Sequence, residues 1–176
     1  CSIDEFEEAL ICLTKGDYRI ERWTRIGIQT RDRMLRATSE IFIGEYAREM
    51  MSRHILALSG GEREEQKCSG ILVASGAGST GWYDSAIRYL VPDGAPYSSQ
   101  STELRYLVTE PYRGKFSGLR FLNGEVSPGQ PLELTILSDS QPVIALDSFK
   151  RFPLARGERL RIAPSRVPLN VLQVGE

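Results

Sequence analysis

Short strand-like segments separated by turn residues recur through most of this chain, and this succession restricts its fold more than any other feature. Most of the segments alternate apolar with polar residues or are uniformly apolar. They cover residues 18–28, 41–44, 54–58, 70–75, 104–109, 119–122, 132–138, 143–147, 160–163 and 169–174. Turn signals come between them at Gly60-Gly61, Asn123-Gly124, Pro128-Gly129, Asp139-Ser140 and Arg156-Gly157. Many short strands at this spacing predict a mainly β domain, either a sandwich or a closed sheet.

Two helices are expected beside these strands. Apolar residues at positions 3, 6, 9, 10 and 13 recur at helical spacing and predict an amphipathic N-terminal helix, with Ser2 as its cap and Gly16 as its end. A second helix is expected over residues 79–90, capped by Ser79 or Thr80. The predicted fold is therefore a β-sandwich-like domain with one leading and one internal helix.

Length and charge limit the class of protein. A chain of 176 residues with 41% hydrophobic residues fits a single domain, here residues 1–176, with a real core. The net charge of -1 gives no reason to expect nucleic acid as a partner. No apolar run approaches the roughly 20 residues that a membrane-spanning helix needs, so no membrane partner is expected.

The cysteines indicate the compartment. Cys1, Cys12 and Cys68 are odd in number and widely spaced, which argues against a disulfide framework and favours a reducing, cytoplasmic location. No Cys-x-x-Cys pair is present, and no metal site is predicted. The chain begins at Cys1 rather than at a methionine, so we expect the natural protein to be longer.

Residues 70–82, Gly-Ile-Leu-Val-Ala-Ser-Gly-Ala-Gly-Ser-Thr-Gly-Trp, carry the strongest functional signal. An apolar strand runs into a loop of small residues and then into a helix start, where backbone N–H groups and a partial positive charge suit phosphates. Ser75, Ser79 and Thr80 add hydroxyl groups. The segment is neither a P-loop, since no Lys follows, nor a complete Rossmann fingerprint. A nucleotide-binding loop and a plain tight turn are both open interpretations.

Further segments lie around this loop in a fixed order. Ser39-Glu40 precedes an apolar strand, Ser52-Arg53-His54 follows it, Thr109-Glu110-Pro111 ends a later strand, and Asp147-Ser148 ends another. Together with Ala77-Gly78-Ser79-Thr80-Gly81-Trp82, these segments resemble the motifs of the NAD kinase family. The resemblance runs from about Ser39 to Asp147. Within it, the run Gln66-Lys67-Cys68-Ser69-Gly70 most resembles the divergent branch related to mitochondrial NAD kinases.

The resemblance implies a fold, an activity and a partner. It implies the β-rich C-terminal domain of a protein that, in the presence of Mg²⁺, transfers phosphate from ATP to the 2′-hydroxyl of the adenosine ribose of NAD. The catalytic Gly-Gly-Asp-Gly motif belongs to an N-terminal domain absent from this chain, and Gly60-Gly61-Glu62 is interpreted as a hairpin turn. This chain is thus expected to bind NAD, to contain no catalytic residues, to be inactive alone, to pair with that missing domain, and to form a homo-oligomer.

The NAD-binding residues implied by the resemblance are Ser39, Glu40, Ser75, Gly76, Ala77, Gly78, Ser79, Thr80, Trp82 and Asp147. Three of them depart from the family pattern, because Ser39, Ala77 and Trp82 stand where Asn, Thr and Tyr are usual. Two alternatives therefore stay open, a non-catalytic nucleotide-sensing or structural module of the same fold and a lipid-kinase relative.

Several of these residues also have a structural interpretation. Trp82 could be a core aromatic residue, Asp147 could cap a turn, and Ser79 and Thr80 could only cap the helix. His54, the single histidine, lies in an alternating strand and is assigned a structural role.

Arginines are dense between residues 19 and 36, with Arg22, Arg25, Arg31 and Arg33 among them. On strands these side chains would mostly share a solvated face. A nucleic-acid patch would need a larger positive charge.

Overall fold

A computed structural model describes residues 3–91, 96–115 and 118–174. Within these ranges the helices are α1 (Ile3–Lys15) and α2 (Trp82–Ile87), with a short 3₁₀ turn at Gly76–Gly78. The strands are β1 (Tyr18–Trp23), β2 (Ile26–Gln29), β3 (Met34–Ala37), β4 (Glu40–Glu45), β5 (Ser52–Ala57), β6 (Arg63–Cys68), β7 (Gly70–Ala74), β8 (Leu104–Thr109), β9 (Asn123–Val126), β10 (Leu132–Ile136), β11 (Pro142–Leu146), β12 (Lys150–Pro153), β13 (Arg159–Pro164) and β14 (Leu169–Val174).

The strands form two six-stranded antiparallel sheets that share one core. Sheet I has the order β3-β2-β13-β10-β5-β6, and sheet II has the order β12-β11-β4-β7-β8-β9. Buried side chains of both sheets, such as Ile28 and Leu134 of sheet I and Ile41 and Val73 of sheet II, belong to one apolar cluster. The predicted mainly β, sandwich-like architecture is confirmed. Outside the sandwich, β1 and β14 pair with each other as a separate ribbon.

The central strands β4 and β7 of sheet II are buried on both faces, which explains their apolar composition. Ile41 and Ile43 point into the sandwich core, whereas Phe42 between them points outward. The outward face packs beneath α2 through Tyr83 and Ile87 of the helix. A strand buried on both sides cannot alternate, because every position loses contact with water.

Sheet I faces solvent on its outer side and alternates accordingly. In β13 the exposed Arg159 and Arg161 alternate with the buried Leu160 and Ile162. This is the pattern of a strand with one face on the core and one in water.

Several sequence predictions were wrong in detail. The strands β3, β6 and β12 were not predicted, and residues 119–122 precede β9 rather than forming a strand. The Asn123-Gly124 pair lies inside β9, not in a turn. The second helix is shorter than residues 79–90, and its N-cap is Gly81, not Ser79 or Thr80. The predicted cap Ser2 lies outside the described residues, whereas the Gly60-Gly61 turn between β5 and β6 is confirmed.

A hydrogen-bonded chain of polar side chains crosses β5 and β6 inside the core. His54, 1% exposed, meets Gln66 with 3.1 Å between Nε2 and Oε1, and Gln66 Nε2 donates to Glu64 Oε1 at 2.8 Å. Because Gln66 Oε1 is an acceptor, His54 donates from Nε2. Burial is the main cause that lowers the pKa of His54 to about 4, and the bond to Gln66 opposes it.

We expect acidification to destabilise the protein through His54. Its folded-state pKa lies below the unfolded value of 6.5. Above pH 6.5 the ring is neutral in both states, and His54 has no pH-dependent effect on the unfolding free energy. As pH drops from 6.5 toward 4, only the unfolded state gains a proton, so the unfolding free energy falls. Between pH 7 and pH 5 the wild type should lose about 2 kcal/mol more unfolding free energy than His54→Gln, whose amide can still donate to Gln66. Urea denaturation at both pH values measures this, and equal losses in both proteins would contradict it.

Candidate functional site

One edge of sheet II gathers most of the residues implied by the resemblance. The edge comprises the start of β4, the end of β7 and the end of β11, three adjacent strands of the sheet. Glu40 lies opposite Ala74 in the pairing of β4 with β7, and Leu146 lies opposite Ile41 in the pairing of β11 with β4. This pairing brings together residues that are far apart in sequence. They are Ser39 and Glu40 at the start of β4, Ser75 after β7 and Asp147 after β11.

Asp147 holds the turn that leads into β4. Its carboxylate accepts hydrogen bonds from the backbone N–H of Thr38, at 2.9 and 3.0 Å, and from that of Ser39, at 2.7 Å. The Asp147 backbone N–H donates to the Glu40 carbonyl at 2.9 Å. Its φ of 50° lies in the left-handed region, where Asp is tolerated better than most residues. Asp147 therefore has the turn-capping role.

Ser75 and Gly78 bind the loop to the same turn. The Ser75 backbone N–H donates to the Ser39 carbonyl at 2.9 Å, and its hydroxyl donates to the carbonyl of Thr38. A Cβ added to Gly78 would lie 2.2 Å from the Ser39 carbonyl oxygen. The backbone of Ser39 thus occupies the space that a side chain at position 78 would need.

Residues 97–99 contact the loop at Gly76 and Ser79. A Cβ on Gly76 would lie 1.9 Å from the Ser98 carbonyl oxygen. The Ser79 hydroxyl donates to the Gly76 carbonyl at 2.7 Å and accepts from the Tyr97 backbone N–H at 3.1 Å. The Tyr97 hydroxyl donates to the Ala74 carbonyl at 2.7 Å. Residues 97–99 therefore brace the loop, and sequence patterns do not indicate this.

Trp82 belongs to an aromatic and cationic stack on the outer face of sheet II. Its ring packs on Phe42 with 5.2 Å between centroids and 29° between planes. The Arg48 guanidinium lies 4.9 Å from the Trp82 ring and 5.3 Å from the Phe42 ring. Trp82 is half-buried by these contacts. Most of its surface therefore packs within the chain, as expected of a core aromatic residue. Arg48 was not predicted, because only the folded chain brings it over these rings.

The groups that remain accessible at this edge are few. Thr80 is exposed, and Ala77 and Glu40 are half-buried. The Glu40 carboxylate accepts a hydrogen bond from the Ser148 hydroxyl at 3.0 Å. Ser75 and Ser79 are fully buried, at 0% and 1% exposure. A ligand at this edge would therefore meet Glu40, Ala77 and Thr80, whereas Ser75 and Ser79 shape the loop.

A small pocket adjoins the loop between α2 and β8. Its volume is about 220 Å³, and Ser79, Tyr83, Asp84, Arg105 and Glu125 are among its lining residues. This volume lies below the roughly 300 Å³ at which ligand sites usually begin. Among the described residues, no group of three His, Cys, Asp or Glu side chains could hold a metal ion.

No family model matches this sequence, and no curated protein matches it. None of the described helices is both long and apolar enough to cross a membrane.

Proposed function

We propose that this chain is the NAD-binding half of an NAD kinase-like phosphotransferase. In the complete protein, ATP would phosphorylate the 2′-hydroxyl of the adenosine ribose of NAD with Mg²⁺, and an upstream domain would supply the catalytic Asp. One observation carries the proposal. Three of the segments that resemble the family, Ser39-Glu40, the loop at 75–80 and Asp147-Ser148, are joined by direct hydrogen bonds at one edge of sheet II.

Within this proposal the residues divide into two groups. Glu40 is suited to accept hydrogen bonds from the two hydroxyls of a ribose, because a carboxylate has four lone-pair sites. Thr80 is exposed and Ala77 half-buried on the loop whose Ser75 and Gly78 contact Ser39, the residue before Glu40. Ser75 and Asp147 hold this surface in place.

Partner domains are part of the same proposal. The ribbon of β1 and β14 presents apolar side chains to solvent, with Tyr18, Ile20 and Leu172 exposed by 44%, 58% and 48%. Phe6 of α1 is also exposed. Exposed apolar groups on one module are typical of a surface covered in a larger assembly. They favour association with the upstream domain or with further copies of the chain, in a cytoplasmic enzyme.

A second candidate function is a non-catalytic structural or nucleotide-sensing module. The observation that favours it is the internal use of the loop's polar groups. The Ser75 and Ser79 hydroxyls and the Asp147 carboxylate all bind backbone groups of the chain itself. Such a loop is stable without a ligand.

Calorimetric titration with NAD tests the proposal. We expect saturable binding to the 176-residue chain and binding at least about tenfold weaker for Glu40→Gln/Thr80→Ala, because hydrogen bonds to a charged group are lost. The fold should persist, since a glutamine at position 40 can still accept from Ser148. The matched control is Glu8→Gln/Thr14→Ala on α1, which makes the same chemical changes far from the edge and should leave NAD binding unchanged.

Two outcomes would contradict the proposal. Equal binding by both double variants would show that NAD does not bind at this edge. Absence of binding by the chain, together with normal folding by circular dichroism, would favour the structural module.

A further inference from the structure

A second concavity of the described chain lies on the other sheet. A groove of about 1050 Å³ crosses the outer face of sheet I. We name it the arginine groove after the six arginines among its lining residues, Arg31, Arg33, Arg63, Arg156, Arg159 and Arg161. Its volume reaches the upper end of the range typical of ligand sites.

Strand pairing explains how these arginines come together. Arg161 of β13 lies opposite Glu133 of β10, which lies opposite Ala57 of β5, which lies opposite Arg63 of β6. With neighbouring strands about 4.8 Å apart, Arg161 and Arg63 stand about 14 Å apart across the sheet. Arg159 lies two residues from Arg161 on the same face, about 7 Å along the strand. Glu133 and Ala57 lie between Arg161 and Arg63 on the floor of the groove.

Two turns complete the groove. The turn after β2 carries Arg31 and Arg33 and is held by Thr30, whose hydroxyl accepts from the backbone N–H of Arg33 at 3.1 Å. The turn before β13 carries Arg156 and is held by Glu158, whose carboxylate accepts from the Ala155 backbone N–H at 2.9 Å. Both rims therefore hold their arginines on ordered backbone.

The protein neutralises only part of the groove's positive charge. Among the described residues, Arg31, Arg63, Arg159 and Arg161 have neither an ion pair nor a side-chain hydrogen bond, whereas Arg156 pairs with Asp139. The lining also contains three carboxylates, those of Asp32, Glu133 and Glu158. Six arginines against three carboxylates leave an excess of three positive charges in a chain of net charge -1.

We propose that the arginine groove binds a small anion that carries two or more phosphoryl groups. Arginine binds phosphate through two parallel hydrogen bonds, and several separated arginines suit an anion with several charged groups. Charge complementarity identifies the occupant, because four of the six guanidinium groups, those of Arg31, Arg63, Arg159 and Arg161, have no ion pair or side-chain hydrogen bond in the described chain. No aromatic side chain is among the lining residues, so the groove has no stacking surface for the bases of a nucleic-acid strand.

This site is separate from the edge proposed for NAD. The groove belongs to sheet I, whereas Glu40, Thr80 and Asp147 belong to the edge of sheet II. NAD itself carries two phosphoryl groups, so the NAD titration is repeated with Arg159→Gln/Arg161→Gln. Unchanged NAD binding by this variant assigns NAD to a site outside the groove, and the two proposals are then tested independently.

Calorimetric titration with inorganic tripolyphosphate at low ionic strength tests the groove. We expect saturable binding that weakens as salt is added, because exposed charges are screened. Arg159→Gln/Arg161→Gln should bind at least about tenfold more weakly, since charge-assisted hydrogen bonds are lost. Arg22→Gln/Arg166→Gln removes the same charge from exposed positions outside the groove and should bind as the wild type does.

Three outcomes would overturn the proposal. Absence of tripolyphosphate binding would do so directly. Equal weakening in the two double variants would assign binding to net charge rather than to the groove. Tighter binding of a hexaglutamate peptide than of tripolyphosphate, lost in Arg159→Gln/Arg161→Gln, would assign the groove to an acidic segment of a protein.

Discussion

Replacing Glu64 by Gln should lower the free energy of unfolding by about 3 kcal/mol or more, because it disrupts a buried charge-assisted network. Glu64 is 8% exposed and accepts from Gln66 Nε2 at 2.8 Å and from the Arg120 backbone N–H at 3.1 and 3.2 Å. The Phe121 backbone N–H and the Arg120 guanidinium also donate to it, at 3.4 and 3.3 Å. Each carboxylate oxygen thus faces a donor, and an amide NH₂ group in either orientation would oppose one.

The pKa of Glu64 agrees with this view. Burial raises it, but the hydrogen bonds from Gln66, Arg120 and Phe121 outweigh burial, and the pKa lies below its ordinary value. The charged form is therefore the one that the fold stabilises. Because the folded pKa is lowered, this contribution is present near neutral pH and is lost in acid.

Glu65→Gln is the matched control for Glu64→Gln. Glu65 lies next in β6 but faces the outer side, where it pairs with Arg53 at 2.8 Å with both side chains about two-fifths exposed. An exposed ion pair contributes at most about 1 kcal/mol. Urea denaturation at pH 7 measures both variants, and equal destabilisation would show that the buried network is not special.

Replacing Gly78 by Ala should destabilise the protein by about 3 kcal/mol and disturb the edge of sheet II. The new Cβ would lie 2.2 Å from the Ser39 carbonyl oxygen and 2.5 Å from its carbonyl carbon. These are backbone atoms held by Asp147 and Ser75, so they cannot move aside as a flexible side chain could. We expect the displacement to reach Glu40 and to weaken NAD binding as well.

Gly60→Ala provides the comparison for Gly78→Ala. A Cβ at Gly60 meets no atom within 4 Å. This change should alter the unfolding free energy by less than about 0.5 kcal/mol, as is usual for surface positions. Chemical denaturation of the two variants measures the difference, and a Gly78→Ala protein as stable as Gly60→Ala would mean that the loop is not tightly packed.

The sequence predicted those strands whose local pattern matches their burial. The alternation around Leu160 and the apolar runs of β4 and β7 are examples. It failed for β6, Arg-Glu-Glu-Gln-Lys-Cys, because two of the three inward positions of that strand are the polar Glu64 and Gln66. These residues are tolerated in the core only because a distant loop and His54 satisfy them, and no local pattern contains that information.

The candidate edge was also predictable only in part, because the sequence does not show which strands are neighbours. The order of the matched segments can be read from the sequence, but their meeting depends on β11, β4 and β7 being neighbours in sheet II. The occupation of Gly76 and Ser79 by Ser98 and Tyr97 depends on the path of a loop about 20 residues away. The arginine groove likewise depends on strand neighbours and on two turns, none of which can be identified from the local sequence pattern.

The ribbon of β1 and β14 determines how the sandwich would carry mechanical load. The strands pair antiparallel, from Tyr18 opposite Val174 at the outer end to Trp23 opposite Leu169 at the inner end. The sandwich thus forms a closed loop suspended from a two-stranded stem. Tension between the two sides of the stem would open its hydrogen bonds one after another, as a zipper opens. Force would reach the sandwich only after Trp23 and Leu169 had separated. We therefore expect the β1–β14 pairing to break at a lower force than the two sheets.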